Sequence, residues 1–252
     1  SELERVLEAA DFVVHLAAEK HNQSKDAPAR VLRANVEGSA QLFDAATRAG
    51  TKKIVFASSL YAHGRMAGPP MREDECPKPR TVYGVSKLAG EQLLEFFAQA
   101  RGLDWLALRY FFVYGPRQYS GGGYKSVIVK TLDRSRAGEP PVVYGSGEQR
   151  LDYVFVNDVV DATCRALEAP LSGEVLNVGS GRGVSVNELV DALMSVTGEK
   201  QTPVRGAADS TEGSCRVADV TKTERLLGFR AETSLEAGLR ATLDWARRVH
   251  AT

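Results

Sequence analysis

Apolar and polar positions along the chain fall into two kinds of block. Phe12-Val13-Val14-His15-Leu16, Lys52 to Ala57 and Trp105 to Arg109 are short, nearly continuous apolar runs of strand length. Between them, residues 29–49 and 83–100 repeat apolar positions at helical spacing, and Gly50 and Arg101-Gly102 supply the stops. An amphipathic opening predicts a short helix over 2–9, capped by Ser1. From Leu60 to Arg80 the periodicity is lost and four prolines interrupt the chain, so this stretch is a loop.

Past Phe111-Phe112-Val113-Tyr114-Gly115-Pro116 the pattern shortens. A Gly-rich loop at Ser120–Gly123 precedes a helix near 125–137, and Pro140-Pro141 starts a strand at Val142-Val143-Tyr144. Val156-Asn157-Asp158-Val159 opens a helix with Asn157 or Asp158 as its N-cap. A strand at Gly173–Ser180 follows, and helices near 185–197, 221–227 and 234–248 finish the chain.

With 252 residues the chain can bury a substantial core, as one domain or two small ones. Lys+Arg and Asp+Glu are equal at 32 each, so nothing points to nucleic acid or an anionic membrane. No apolar run approaches the ~20 residues needed to span a bilayer. The start, Ser1-Glu2-Leu3-Glu4-Arg5, is unlike a signal peptide. Cys76, Cys164 and Cys215 are far apart and lack metal-ligand spacing, which reads as reduced thiols in a cytoplasmic protein without a metal.

The chemistry is concentrated at Thr81–Lys87 and at the Ser58-Ser59 pair. Tyr83 and Lys87 are four apart, so on a helix their side chains share a face. A free tyrosine, with a pKa of about 10, is a poor base at neutral pH. A lysine cation one turn away favours the phenolate. Ser59, just past Ile54-Val55-Phe56-Ala57, could bond the substrate oxygen that Tyr83 deprotonates. Such a set serves hydride chemistry on a nicotinamide. The spacing alone is common and reads more readily as a solvated tyrosine beside a solvated lysine, so context decides.

That context is a series of segments: His15-Leu16-Ala17-Ala18, Asn35-Val36-Glu37-Gly38, Phe56-Ala57-Ser58-Ser59, Tyr83-Gly84-Val85-Ser86-Lys87-Leu88-Ala89-Gly90-Glu91, and Leu108-Arg109-Tyr110 running into Tyr114-Gly115-Pro116-Arg117-Gln118. In this order, residues 12–117 resemble the extended short-chain dehydrogenase/reductase family, and within it the NAD-dependent nucleotide-sugar epimerases and dehydratases. The resemblance implies an α/β fold, a doubly wound parallel sheet that is Rossmann-like and incomplete at its N-terminus. Residues 1–115 and 151–178 would form it, with a small C-terminal α/β substrate lobe from 116–150 and 179–252. It implies an NAD enzyme with Ser59, Tyr83 and Lys87 as catalytic residues. Ala17 and Ala18 would pass beside NAD, with Asn35 and Tyr110 near it. Lys20 stands where some epimerases place a lysine near the nicotinamide ribose, and reads equally as an exposed loop lysine. A polar helix residue at Asn35 and a core aromatic at Tyr110 stay open, and His15 reads as a strand-end histidine outside the chemistry. In the family the 29–49 and 83–100 helices pair across a homodimer, which suits the apolar excess of Leu93, Leu94, Phe96 and Phe97.

The substrate side departs from the family pattern. Phe112 replaces an asparagine, and Leu151 replaces an arginine, with Arg150 one position earlier. Neighbours on a strand face opposite sides, so Arg150 substitutes only across a bulge. Thr211 replaces a third arginine, with Arg216 close by, and Tyr61 stands where a small hydroxyl residue contacts the sugar. Leu60-Tyr61 replaces the Asp-Glu pair of the dehydratases, which disfavours 4,6-dehydration. The G-x-G-x-G of Gly179–Gly183 has the wrong spacing for a dinucleotide fingerprint. No G-x-x-G-x-x-G turn precedes residue 12, whereas the family carries about sixty residues more at the front, with the pyrophosphate-binding turn. The expectation is therefore a chain lacking half its cofactor cradle and, if it begins at Ser1, binding NAD weakly.

The leading expectation is an NAD-dependent nucleotide-sugar epimerase, UDP-hexose 4-epimerase-like, working by transient hydride transfer. Its substrate would meet Ser59, Tyr61, Phe112, Arg150 and Arg216. The alternatives are an NAD(P)-dependent dehydrogenase or reductase of a non-nucleotide alcohol or ketone, and a non-catalytic Rossmann-type binding protein.

Overall fold

A computed structural model describes residues 2–64, 68–118, 125–198, 200–208 and 211–250. The expected Ser1 cap and the Ser120–Gly123 loop lie outside the described residues. The chain begins with α1 (Glu2–Leu7), β1 (Phe12–His15), α2 (Gln23–Asp26), α3 (Pro28–Leu32), a π-helical turn (Arg33–Glu37) and α4 (Gly38–Ala49). Then come β2 (Lys53–Ser59), a 3-10 turn (Leu60–Ala62), α5 (Val82–Arg101), β3 (Asp104–Tyr110) and β4 (Phe112–Tyr114). Next are α6 (Val127–Arg136), β5 (Val142–Tyr144), β6 (Arg150–Phe155), α7 (Val156–Glu168) and β7 (Glu174–Val178). The last are β8 (Gly183–Ser185), α8 (Val186–Thr197), β9 (Val204–Gly206), β10 (Cys215–Arg216), α9 (Thr221–Leu227) and α10 (Leu235–His250).

Two units divide the chain. The first takes Ser1–Phe111, Val160–Val178 and Asp219–Phe229, and the second takes Phe112–Val159, Gly179–Ala218 and Arg230–Thr252. The division expected from the resemblance ran at 115 and 151 and gave all of 179–252 to the second lobe.

In the first unit β1-β2-β3-β7 form one parallel sheet in that order. Every residue of β2 is buried, as a strand covered on both faces requires. Ile54, Phe56, Trp105 and Ala107 face Phe43 of α4 and Leu94 and Phe97 of α5 in one apolar cluster. Strand alternation turns Lys53 to the opposite face. There its ammonium donates to the Ala166 carbonyl at 3.5 Å and to the Ala169 carbonyl, closing the C-terminal end of α7. Helices thus cover both faces, and the doubly wound parallel sheet read from the family resemblance is the observed one.

Helix α5 starts at the Thr81 hydroxyl, which accepts from Gly84 N–H at 3.0 Å, and stops at Gly102 in the left-handed region (φ 71°). A Cβ at Gly90 would come within 2.5 Å of the Phe56 ring, so the missing side chain lets α5 lie close on β2. The span expected as one helix over 29–49 is instead α3, the π turn and α4. Tertiary demand explains the break: Asn35 is drawn into the interior, 2% exposed.

In the second unit β10, β6 and β4 are parallel neighbours, and β8 pairs with β6 antiparallel. β5 pairs with β9, a strand the sequence pattern did not announce. Tyr114, Ile128, Leu132, Phe155, Leu189, Leu193 and Leu239 pack as one core. The fully buried Asp152 carboxylate accepts from Ser180 N–H (2.7 Å), Ser180 Oγ (2.6 Å), Gly181 N–H (2.9 Å) and Ala218 N–H (3.1 Å). The Gly179–Gly183 run is therefore the turn that closes on Asp152. Helix α7 begins at Val156, so the expected cap at Asn157 or Asp158 is corrected. The Asp158 carboxylate instead accepts from Thr233 N–H (3.3 Å) and Oγ1 (3.1 Å).

Candidate active site

In a parallel sheet all strands deliver their carboxyl ends to one side, where α/β folds bind ligands. Ser59 is the last residue of β2, and Tyr83 and Lys87 occupy the first turns of α5. The Ser59 hydroxyl accepts from Tyr61 N–H at 3.3 Å and bears on the Tyr83 phenol, whose pKa it lowers. Lys87, 3% exposed, donates to the Ala57 carbonyl at 2.7 Å. Its ammonium lies 4.9 Å from the Phe56 ring centroid and 5.7 Å from that of Tyr83.

Burial sets both proton affinities. It pushes Lys87 down to about 8, opposed by the Glu91 carboxylate one turn on. It pushes Tyr83 up to about 12, opposed by the Ser59 hydroxyl and reinforced by Tyr61. The sequence argument had the lysine drawing the tyrosine down. Desolvation is instead the largest influence on the phenol. In this state Tyr83 is a neutral phenol.

An aromatic pair that the motif reading missed stands beside Tyr83. The His21 ring stacks on Tyr61 at 4.2 Å and 20°, and each meets the Tyr83 ring edge-on at 6.0 Å. The signal in the sequence was Tyr61 itself, a large ring one residue after Leu60 where a small hydroxyl was expected. Ala17, Ala18 and Lys20 are exposed past the end of β1. Asn35 is fully engaged with protein: Oδ1 accepts from Glu19 N–H (2.7 Å), and Nδ2 donates to the Glu19 carbonyl and to Ser86 Oγ (3.0 Å each). Tyr110 pairs with Ser59 in the sheet register, and its hydroxyl shares a 2.8 Å hydrogen bond with Thr163 Oγ1.

Beneath Ser59 runs a buried polar chain. Glu91 accepts from Ser58 Oγ and from Arg109 Nε (2.9 Å) and a terminal guanidinium nitrogen (2.7 Å). Arg109 also donates to His63 Nδ1 at 3.1 Å. That bond leaves the proton of His63 on Nε2, which donates to Asn177 Oδ1 at 2.7 Å. Burial and Arg109 push His63 down to about 4. His15 behaves alike: it bonds Ser39 Oγ at 2.9 Å through Nε2, and burial and Lys87 push it down to about 4.

The remaining expected substrate residues belong to the second unit. Arg150 is exposed and committed: its guanidinium bonds both Glu188 oxygens (3.1 and 3.3 Å) and the Gly183 carbonyl (2.9 Å). Leu151 is 5% exposed, and the register through Arg150–Asp152 is regular, so no bulge swings Arg150 to the side of Leu151. The expected substitution by Arg150 is corrected on that ground. Arg216, half-buried, pairs with Leu151 in the sheet, and Phe112 packs on Tyr153 at 5.8 Å in β4.

The first unit suits NAD. Ala17 and Ala18 leave the backbone open to close approach at the carboxyl end of β1. Among the described residues Lys87 hydrogen-bonds only Ala57, so further ammonium protons remain for ribose hydroxyls. Parallel sheet, Ser–Tyr pair and buried lysine together are the apparatus of an extended short-chain dehydrogenase/reductase. The sequence pattern of the NAD dependent epimerase/dehydratase family matches residues 1–179, and the chain belongs to that family.

A putative UDP-glucose 4-epimerase of Methanocaldococcus jannaschii is 30% identical over 244 residues, covering 96% of this chain and 79% of that protein. The crystal structure of a UDP-glucose 4-epimerase from Thermotoga maritima with UDP-glucose is 35% identical, with a TM-score of 0.91 over 99% of this chain and 82% of that one. MoeE5 in complex with UDP-glucose and NAD is 36% identical, with a TM-score of 0.89 over 99% of this chain and 83% of that one. The protein is an enzyme of nucleotide-sugar epimerase/dehydratase type with NAD as cofactor, and the reading as a non-catalytic binding protein is set aside.

Proposed function

We propose that the protein is a UDP-hexose 4-epimerase acting through Ser59, Tyr83 and Lys87. The observation that carries this reading is the placing of Ser59 at the end of β2 and of Tyr83 on the first turn of α5, beside a buried lysine ammonium 5.7 Å from the Tyr83 ring. NAD, when bound, supplies the acceptor and donor of hydride. Ser59 orients the reacting sugar hydroxyl, and Tyr83 takes its proton and returns it. Lys87 keeps a positive charge close to the phenol, and any further cation brought beside it draws Tyr83 down toward working range. The Tyr61–His21 stack gives the sugar an aromatic wall. Arg216 is the arginine this reading gives to the diphosphate. The reading includes a homodimer, supported by Phe96, which stands 59% exposed on α5.

Calorimetry with UDP-glucose in the presence of NAD, followed by a coupled assay for UDP-galactose, tests it. Micromolar binding and turnover are expected, with Tyr83→Phe lowering kcat by about 10²–10⁴-fold. NAD binding without UDP-glucose binding would overturn it in favour of a dehydrogenase of a non-nucleotide alcohol, the reading that the Arg150–Glu188 pair and buried Leu151 favour.

A further inference from the structure

Ser59 and Tyr61 belong to one short stretch, the end of β2 and the 3-10 turn Leu60–Ala62, which the chain leaves at His63. A turn of this kind makes few and poorly aligned hydrogen bonds of its own. Here they are the Tyr61 N–H to the Ser59 hydroxyl at 3.3 Å and the His63 N–H to the Leu60 carbonyl at 3.2 Å. The firmer hold is at the flanks. Before the turn, the Ser58 hydroxyl donates to Glu91. Glu91 accepts two bonds from Arg109, at 2.7 and 2.9 Å, and Arg109 donates onward to His63 Nδ1 at 3.1 Å, just after the turn. These bonds and the chain between Ser58 and His63 close a ring around Ser59–Ala62.

The ring is moored as well as closed. His63 Nε2 donates to Asn177 Oδ1 at 2.7 Å, and the Asn177 amide donates in turn to the Met71 and Asp219 carbonyls at 2.9 and 3.1 Å. Ser58, His63, Glu91, Arg109 and Asn177 are all buried, so water does not compete for these bonds and each is stronger than it would be at the surface. A neutral imidazole offers one acceptor and one donor on a rigid ring. An apolar side chain at 63 would offer neither, leaving an Arg109 proton and the Asn177 oxygen without their partner and the turn held at one flank only.

We propose that His63 is a positioning residue for the reaction: it fixes the turn that carries Ser59 and Tyr61 by closing the ring through Arg109, and touches neither substrate nor cofactor. This rests on the reading of Ser59 as the residue that orients the sugar hydroxyl. The arm to Arg109 is the one that matters for Ser59, because it alone leads back to Ser58; the arm to Asn177 holds the ring to the end of β7.

The test compares His63→Leu, His63→Gln and His63→Asn in the full chain. Asparagine sets an amide oxygen near the place of Nδ1 and keeps an acceptor for Arg109, whereas glutamine reaches Asn177 in place of Nε2 and loses that acceptor. With NAD and UDP-glucose, His63→Leu and His63→Gln are expected to lower kcat by about tenfold, because a small misplacement of a reacting group costs rate. KM and NAD affinity should stay as in wild type, and His63→Asn should recover most of the lost kcat. Amide hydrogen exchange at Tyr61, read without substrate, should quicken in His63→Leu and His63→Gln and return toward wild type in His63→Asn. Wild-type kcat in His63→Leu, or a loss in His63→Asn as large as in His63→Leu, overturns the proposal. Losses of kcat, substrate affinity and NAD affinity together mark a merely structural role and overturn it too. If the wild-type chain does not turn over UDP-glucose, the epimerase reading fails and the Tyr61 exchange decides alone: wild-type exchange in His63→Leu overturns the clamp. Should His63→Leu not fold, Ser58→Ala, which removes a single donor at the other flank, carries the test with the same losses expected.

Discussion

Glu91→Gln changes one atom in the buried chain below Ser59 and should be costly. Glu91 and Arg109 are 5% and 3% exposed and meet through two hydrogen bonds of 2.7 and 2.9 Å, with Ser58 Oγ as a third donor to the carboxylate. Neutralising one member leaves a buried guanidinium without its counter-charge, which costs about 3–5 kcal/mol. For a chain of this size that lowers the unfolding midpoint by roughly 10 °C. Replacing both partners by apolar residues, Glu91→Leu with Arg109→Met, removes both charges together. Its cost should shrink to about 1–3 kcal/mol, the remainder coming from Ser58 and His63 losing their partners. Urea unfolding of wild type, Glu91→Leu, Arg109→Met and the double variant closes the cycle, with Glu91→Gln measured beside it. A Glu91→Gln cost below about 1 kcal/mol, or a double variant as costly as the sum of both singles, would refute the argument.

Three further outcomes follow from the same geometry. Lys87 titrates near 8 in the fold against 10.5 in its absence, so between those values the unfolded chain binds more protons. Stability should therefore rise with pH across that window, by about 3 kcal/mol. Urea midpoints from pH 7.5 to 9.5, below the range in which unfolded tyrosines ionise, check this, and Lys87→Met should flatten the rise; a wild-type curve already flat would sink it. Asp152→Asn places an amide among four donors and should cost about 2–3 kcal/mol, read as a shift in the urea midpoint. Gly90→Ala drives a methyl to within 2.5 Å of the Phe56 ring; about 1–3 kcal/mol of overpacking is expected by thermal unfolding, and wild-type stability would show that the helix can move aside.

Local pattern recovered what local physics controls. The β2 run, the Gly50 and Gly102 stops and the four-residue spacing of Tyr83 and Lys87 are written in adjacent residues, and the structure has them where the spacing put them. The π turn was invisible, because it answers to Glu19 and Ser86, which lie 16 and 51 residues from Asn35. The direction of the Tyr83 shift was missed for a related reason: helical spacing brings a lysine near a tyrosine, but only the fold tells how deeply the phenol is buried. The Arg150–Glu188 pair and the His21–Tyr61 stack are likewise products of tertiary placement. Strand β9, Val204–Gly206, carries too little apolar pattern to be recognised before its partner Val142–Tyr144 is in place.

The buried imidazoles of His15 and His63 bear on how the enzyme's acidity can be read by spectroscopy. Both stay uncharged down to about pH 4, each holding its proton on Nε2. Their ring signals in a magnetic-resonance titration should therefore stand still from pH 5 to 9, a range in which ordinary histidines move. They would serve as internal markers of the folded interior, and a drift in either would signal the packing around it opening before the molecule as a whole unfolds.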